Sequence, residues 1–557
     1  MRFFFLILPA LLIGQEIGVP ALAPLEVKPR AGIFGQTTIT LQEVIQRVLA
    51  NDRDLEVARI FRQEAFFNVR GAQGYYDPRL GLTGYRLKRV SPVSSLIGGA
   101  ANGKLTFKEW NADPQVSGVS PWLGGSYRLD FTSSRQLTDS QFVTLNPQFP
   151  TAANLNVTQP LWRGLRFDEN RHRLQVARKN MQLTAEQFRQ RVIEIVTQAI
   201  QAYWDLDFAR RNLDVQIEAV RLAERQDQSN RRQVEQGLLA PVDVIAAQTQ
   251  VATFQQNVFT AQETLTRAEN NLKTLMLPDR TDLLWGTALI PETPIDPTMA
   301  TPTLEDAIAR ALRERPELAQ SAISVEINRL DARLSHEMAK PQIDAVALLS
   351  SAGLAGRALP PGPNPITGAF VPLLEQLNQL SVLNGIAPII SLPGFGGNQI
   401  PSIFPGGYGQ SLSNLQNGYF PTVQIGVQMS LPLRNRTALA QSAISTAEGR
   451  RLRALRNQAE VLVEADVRNS LQSVESARAR LDAAALARSS AENQYTSEQR
   501  QFQAGTSTVF LVLQRQTDLI AARTREVRAK ADFGKAAADL DRATARAMEA
   551  QNIKVEP

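Results

Sequence analysis

From Arg166 to Gln236 the chain contains neither glycine nor proline, the two residues that most often interrupt helices. An unbroken helix over some seventy residues would reach on the order of 100 Å at about 1.5 Å per residue. That is many times the length of an ordinary globular helix, and no compact domain contains it. Within the run, Val192, Val196, Ala199, Tyr203, Leu206, Leu213, Ile217 and Val220 follow steps of four and three residues, with Arg210 interrupting the stripe once. This is the spacing of a coiled-coil seam. A second helical pattern, from about Leu433 to Ala504, repeats it with Val463, Val467, Ser470, Val474, Ala477, Leu481 and Ala484, small residues that permit close helix approach.

The two rods belong to a duplication. RRQVEQGLLAPVDVIAAQTQ at 231–250 matches QRQFQAGTSTVFLVLQRQTD at 499–518 with a constant offset of 268, pairing Gly237 with Gly505, Val244 with Val512 and Gln248 with Gln516. At offset 263, Leu41, Ile45, Arg47, Leu49, Leu55 and Ile60 recur as Leu304, Ile308, Arg310, Leu312, Leu318 and Ile323, and Pro78 falls on Pro341. Two matched segments per half in the same order indicate a tandem repeat of roughly 260 residues, too long for a solenoid. The expected repeats are 24–299 and 300–548, each a helix, strands and a long helical hairpin, with 549–557 as a tail. Gly237 and Gly505 each end one helical pattern just before another, where glycine adopts the left-handed backbone of a helix stop. Pro241 suits the first turn of the next helix. Each segment reads as the tip of a helical hairpin.

MRFFFLILPALLIGQEIGVPALA places Arg2 before an apolar run from Phe3 to Ile13 and small residues at Ala21 and Ala23, the pattern of a secretory signal over 1–23. Cleavage after Ala23 would leave Pro24 first; cleavage after Ala21 is the other option. No later stretch offers eighteen consecutive apolar residues, so strands are the only means by which the exported chain could span a membrane.

Between 75 and 164, and again between 341 and 432, charge thins and the apolar period falls to two. Val423, Ile425, Val427, Met429 and Leu431 alternate with polar neighbours, as do Tyr127, Leu129 and Phe131, and Leu155 with Val157. Strands of this type suit a membrane barrel with a wet interior. The expected membrane strands are 79–90, 151–161, 342–351 and 421–432. The segment 125–134 is a further strand that either pairs within the outer loop or extends the barrel. Residues 352–420 read as a long, partly apolar surface loop. About four strands cannot close a barrel, which needs about eight, whereas three chains would supply about twelve.

These features resemble the TolC-type outer membrane efflux proteins over nearly the whole chain from Thr37 to Ala547. The resemblance lies in LQEVIQRVLANDRDLEVA at 41–58 with its repeat LEDAIARALRERPELAQS at 304–321, YYDP at 75–78, QPLWRG at 159–164, and the tips QGLLAPVDV and AGTSTVFLV. It implies an α+β membrane protein: a homotrimer with a twelve-stranded β-barrel in the outer membrane lipid and a coiled-coil α-helical barrel in the periplasm. It also implies partnership with a periplasmic adaptor and an inner-membrane transporter, as exit duct of a tripartite efflux or type I secretion system. By the same resemblance Gly237, Leu238, Gly505 and Thr506 contact the adaptor. In TolC itself acidic, arginine and tyrosine residues near the tips latch the channel. Here Asp243 matches one aspartate, but Phe502 stands at the tyrosine, Ser507 at the arginine, and Leu511 and Gln514 at two aspartates, so an apolar closed state around Phe502 and Leu511 is expected in place of an identical ionic latch.

Other functions find little support in the residues. There is no cysteine, and the net charge of +6 is spread among interleaved acids and bases along the helices, which describes a solvated face better than a nucleic-acid site. No phosphate-cradling GxxxxGK[ST] is present. His172 and His336 are the only histidines; both read as solvated helix residues, with no metal constellation and no catalytic triad. No catalytic residue and no cofactor are expected. A soluble periplasmic coiled-coil adaptor or scaffold is the alternative, and it leaves the alternating strands without a purpose.

Overall fold

The computed structural model describes residues 23–27, 29–94, 99–100, 102–295, 301–360, 371–388 and 400–553; the expected signal segment up to residue 22 lies outside them. Among the described residues the chain divides into two compact units, each assembled from both halves of the sequence. One holds the segments up to Glu64, Gln182–Ser324 and from Leu452 onward, and the other holds Ala65–Met181 and Val325–Arg451.

The duplication is visible in the element boundaries. Helices α1 (Leu41–Asn51) and α2 (Arg53–Gln73) recur as α5 (Leu304–Glu314) and α6 (Pro316–Met338). Thr40 and Thr303 cap α1 and α5, each accepting a hydrogen bond from the third backbone N–H of its helix, and thereby satisfying donors that a helix start leaves free. The long hairpins follow: α3 (Glu169–Glu235) with α4 (Pro241–Met276), then α9 (Arg436–Gln503) with α10 (Val509–Ala543). A short α11 (Ala547–Ala550) ends the described helices. Between them lie α7 (Val371–Leu383) and α8 (Tyr408–Gln416).

The first unit is held by the seams. Val192, Val196, Ala199, Tyr203, Leu206 and Val220 are buried, as are Val463, Val467, Ser470, Val474, Ala477 and Leu481. Leu213 and Ile217 are half-buried and pack against one apolar cluster, and Ala484 packs against another. The polar faces carry i,i+4 pairs such as Arg267 with Glu263 and Arg468 with Glu464. Such exposed pairs each contribute little to stability. A short parallel pair, β1 (Gly35–Ile39) with β6 (Thr287–Pro291), lies beside the helices.

One buried charge cluster stands out against this apolar packing. Lys273 Nζ donates to Glu269 Oε1 at 2.7 Å, to the Thr287 carbonyl at 2.7 Å and to the Trp285 carbonyl at 3.1 Å, while Arg30 donates to the other Glu269 oxygen at 2.8 Å. All three ammonium hydrogens therefore have acceptors. Lys273→Met should lower stability by about 3 kcal/mol, because it strands two carbonyls and half of the Glu269 charge. The paired change Lys273→Met with Glu269→Leu should recover only the Glu269 part of that loss in urea unfolding of the detergent-solubilised protein, because the two carbonyls stay stranded and Arg30 loses its acceptor.

A half-buried cluster sets a pH dependence. Burial pushes the Asp466 carboxyl up, but hydrogen bonds and charge from Arg542 and Arg315 together outweigh it and hold the group below the ordinary aspartate value. A depressed carboxylate stabilises the fold above its unfolded pKa and loses that contribution as pH falls through the folded one. Asp466→Asn should therefore cost about 2 kcal/mol at pH 7, and the difference from the parent should fade as pH falls through the depressed value. Asp539 and Asp541 are raised by burial and act with the opposite sign. The parent-minus-variant difference, read by unfolding at each pH, isolates Asp466.

The second unit is a six-stranded antiparallel sheet in the order β2-β3-β4-β5-β7-β8. Its strands are β2 (Arg79–Pro92), β3 (Lys104–Val119), β4 (Ser126–Thr138), β5 (Leu145–Pro160), β7 (Gln342–Ala358) and β8 (Phe420–Ser430). The four expected strands are present, and among the described residues they lie in a sheet of six. The segment 125–134 takes its place in the sheet as β4, and β3 was not anticipated. In β3 the ladder to β4 lapses at Asp113 and Pro114, where proline has no N–H to give.

The expected loop 352–420 is also partly ordered: β7 continues to Ala358, and α8 docks on β7 and β5. It docks through polar groups. Ser411 Oγ lies 2.9 Å from Thr151 Oγ1, Asn414 Nδ2 donates to the Leu354 and Ile403 carbonyls at 2.8 Å each, and Ser351 Oγ donates to the Leu415 carbonyl at 2.9 Å. Gly353 permits this approach, since a Cβ there would lie 2.1 Å from the Ser411 carbonyl oxygen. Residues 361–370 and 389–399 of the same stretch lie outside the described residues.

Candidate functional site

Two sites follow from these elements, one in each unit: the wall formed by the sheet, and the tips of the helical hairpins.

In the wall, side chains alternate between faces along each strand, and the register sorts them by polarity. Hydrogen-bonded neighbours run Leu80, Val116, Leu129, Leu155, Leu349 and Val423 from β2 to β8 without a polar member. The adjacent row on the other face runs Gly81, Gln115, Asp130, Asn154, Ser350 and Thr422. Its polar groups bond across strands, Asn154 Nδ2 donating to Asp130 Oδ2 at 2.7 Å and Ser350 Oγ to Asn154 Oδ1 at 2.6 Å, while within β4 Arg128 Nε donates to the other Asp130 oxygen at 3.1 Å. One face thus suits lipid and the other water.

The apolar face has marked ends. At the end holding the β3–β4 turn, Tyr75, Trp122 and Trp162 are exposed. Toward the other end Trp110 stands between Arg86 and Arg135 in the register, with the Arg86 guanidinium 4.9 Å from the ring centre. Aromatic girdles of this sort bound the lipid band of membrane barrels. Among the described residues no helix is long and apolar enough to cross a membrane.

At the tips, Gly237 and Gly505 have φ of 73° and 76°. Each closes its helix with the same two bonds. Gly237 N–H donates to the Val234 carbonyl at 2.9 Å and Leu238 N–H to the Gln233 carbonyl at 2.8 Å; Gly505 N–H donates to the Phe502 carbonyl at 3.0 Å and Thr506 N–H to the Gln501 carbonyl at 2.9 Å. This is the Schellman arrangement, built twice. Around it, Leu238 is 70% exposed, and the duplication-related pair Val242 and Phe510 are 64% and 70% exposed. Sequence reading missed Val242 and Phe510, although their equivalence at offset 268 was there to be read.

The remaining candidates separate by environment. Phe502 is buried with Tyr495, Val509, Val512, Leu513 and Leu519, and Leu239 of the first tip packs against the same cluster. Ser507 Oγ donates to Glu498 Oε1. Leu511 and Gln514 stay exposed on α10, and Asp243 is half-buried in the first turn of α4. The buried Asn230 donates to the Asp243 backbone carbonyl at 3.4 Å.

His336 is exposed as expected, but His172 is not a solvated residue. It is half-buried, with Nε2 2.7 Å from Asp331 Oδ1 and its ring edge-on to Phe167. Among the described residues no cluster of three metal-ligating side chains occurs.

The family model described as outer membrane efflux protein matches residues 126–276 and 401–546. Similar solved structures include the outer membrane protein VceC of Vibrio cholerae, 16% identical with a TM-score of 0.58, covering 90% of this chain and 95% of that one. The CmeC outer membrane channel of Campylobacter jejuni is 13% identical with a TM-score of 0.58, covering 92% and 90%. The outer-membrane channel OprN is 13% identical with a TM-score of 0.59, covering 90% and 89%. None of the curated proteins matches the chain.

Proposed function

Since the matched segments make up more than half of its length, this chain belongs to the outer membrane efflux protein family, and on that premise we propose how it works as an efflux exit channel of the outer membrane. Three copies surround a passive water-filled duct. An inner-membrane transporter and a periplasmic adaptor load it, and the chain itself carries out no chemistry. The observation that carries this reading is the two-faced sheet, with an apolar row from β2 to β8 and beside it a row that is polar from β3 to β8 and hydrogen-bonded through Asp130, Asn154 and Ser350. A soluble scaffold would hold the apolar row in water at a cost of roughly 25 cal/mol for each Å².

The adaptor contacts fall at Gly237, Leu238, Gly505 and Thr506, extended to Val242 and Phe510. Apolar side chains left exposed beside two identically built turns are what a docking protein would cover. The periplasmic gate is drawn from Asp243, Phe502, Ser507, Leu511 and Gln514. In this reading Phe502 stiffens the tip from within, while Leu511 and Gln514 present the surface that changes on opening. The repeats 24–299 and 300–548 supply one tip each.

Planar-bilayer recording on the purified chain tests the duct, and extrusion of a fluorescent substrate by a strain lacking its own exit channel tests the coupling to a pump. Stepwise conductance with restored extrusion is expected. A protein that leaves bilayers silent and partitions into the aqueous phase without detergent would overturn the channel.

A further inference from the structure

Six strands rather than four raise the question of what β3 and β4 do. We propose that both are full members of the transmembrane wall, and that β8 of one protomer pairs with β2 of the next, so that three copies close a barrel of eighteen strands. The number of copies rests on the trimeric duct proposed above; the membership of β3 and β4 does not.

The first support is their side-chain pattern. Val116 and Leu129 occupy the apolar row between Leu80 and Leu155, while Gln115 and Asp130 occupy the polar row between Gly81 and Asn154. A hairpin projecting into water from one end of the barrel would have no reason to keep this alternation in step with its neighbours. The polar network also runs through them, with Gln136 Nε2 donating to Glu109 Oε1 at 3.0 Å across β3 and β4, and Asp130 accepting from Asn154 across β4 and β5.

The second support is topology. β4 lies hydrogen-bonded to β5, and β3 to β2, so β2 and β5 have no contact that would let four strands close without the insert. The β3–β4 turn is fixed at the sheet's aromatic end, where Gln159 Nε2 donates to the Leu123 carbonyl at 2.9 Å beside the exposed Trp122.

The third support identifies the occupant of the two edges. β2 is 14 residues long and β8 is 11, and nearly every residue of both is exposed. An open edge cannot persist in lipid, where its N–H and C=O groups find no water. A single chain has fewer strands than the smallest barrels, about eight, so the sheet cannot close on itself. Six is an even number, which makes β2 and β8 run in opposite directions, and a second copy then meets β8 with an antiparallel β2. The apolar residues of the edges, Leu80 and Leu82 against Val423, Ile425 and Val427, share one face of the sheet. Because barrel diameter grows roughly linearly with strand number, eighteen strands give a bore about one and a half times that of twelve.

The chain has no cysteine, which makes the test direct. Leu82→Cys would be combined in turn with Val423→Cys, Ile425→Cys and Val427→Cys in the full chain in outer membranes. Oxidation should yield covalent trimers from at least one combination and none from any of the four single variants. Separately, Val116→Cys and Leu129→Cys should react roughly tenfold more slowly with a charged maleimide than Gln115→Cys, since lipid excludes the reagent. A map of the detergent-solubilised protein should count eighteen strands. A trimer with twelve wall strands, or with positions 115, 116 and 129 labelled equally fast, overturns this inference and leaves the duct standing. A native mass corresponding to one or two copies overturns the trimeric reading itself.

Discussion

Val467→Asp should abolish accumulation of the folded protein, with a stability loss of about 4–5 kcal/mol in whatever fraction can be recovered. Val467 is fully buried and packs with Ala307, Ala311, Leu318, Val463 and Ala543. The change removes roughly 2 kcal/mol of apolar burial and forces the seam either to bury an ionised carboxylate or to protonate it. Asp466 next door already engages Arg315 and Arg542, so neither arginine is free to neutralise a second acid. Val196→Asp in α3 should behave alike, since Val196 is equally buried in the seam of the first half. Val467→Ala, which leaves a gap of two methyl groups without a charge, should cost only about 2 kcal/mol and still assemble. Outer membrane levels of each variant, followed by thermal unfolding in detergent, measure this. Near-normal levels of Val467→Asp would mean that the seam does not hold the rods together.

How much of this was readable beforehand depends on which physics fixes each element. The long helices were legible to within a few residues, because an apolar stripe repeated over tens of residues leaves little ambiguity and glycine marks the stops. The predicted seam residues are buried or half-buried as a set. Strand β3 was not legible. Its alternation is real, with Trp110, Ala112, Pro114 and Val116 opposed to Glu109, Asn111, Asp113 and Gln115, but the charges belong to the polar face of the sheet, and Pro114 demotes the run in any search for central strands. Helix α8 was hidden for a different reason. Its buried residues are Ser411 and Asn414, so it docks by hydrogen bonds and shows no apolar period. Leu239, which packs from one tip into the cluster of the other, pairs residues more than 250 positions apart, and no local pattern reports that.

The tips supply the second large effect, and here the loss should fall on export with assembly untouched. Gly505→Val should reduce extrusion about tenfold or more while trimer yield stays normal. No atom lies within 4 Å of a Cβ built on Gly505, so the substitution creates no clash with its surroundings. The penalty is conformational: at φ of 76° an L-residue pays on the order of 1–2 kcal/mol, and a β-branched one pays more. That is too little to unfold two rods of more than thirty residues each, but with the further β-branched cost it is as large as what the two turn bonds at Gly505 and Thr506 return together, about 2 kcal/mol net. The chain should relieve the strain by opening the turn, which moves Thr506 and Phe510 out of register and loosens Phe502, whose carbonyl accepts the Gly505 bond. Asparagine tolerates the left-handed region, so Gly505→Asn should keep most of the activity; a purely steric role for the glycine predicts that both variants fail together. Substrate accumulation in cells, normalised to outer membrane protein level, distinguishes these outcomes. The same change at Gly237 should act through the first tip with similar size. Full export by a Gly237→Val, Gly505→Val double variant would remove the tips from the docking and gating machinery.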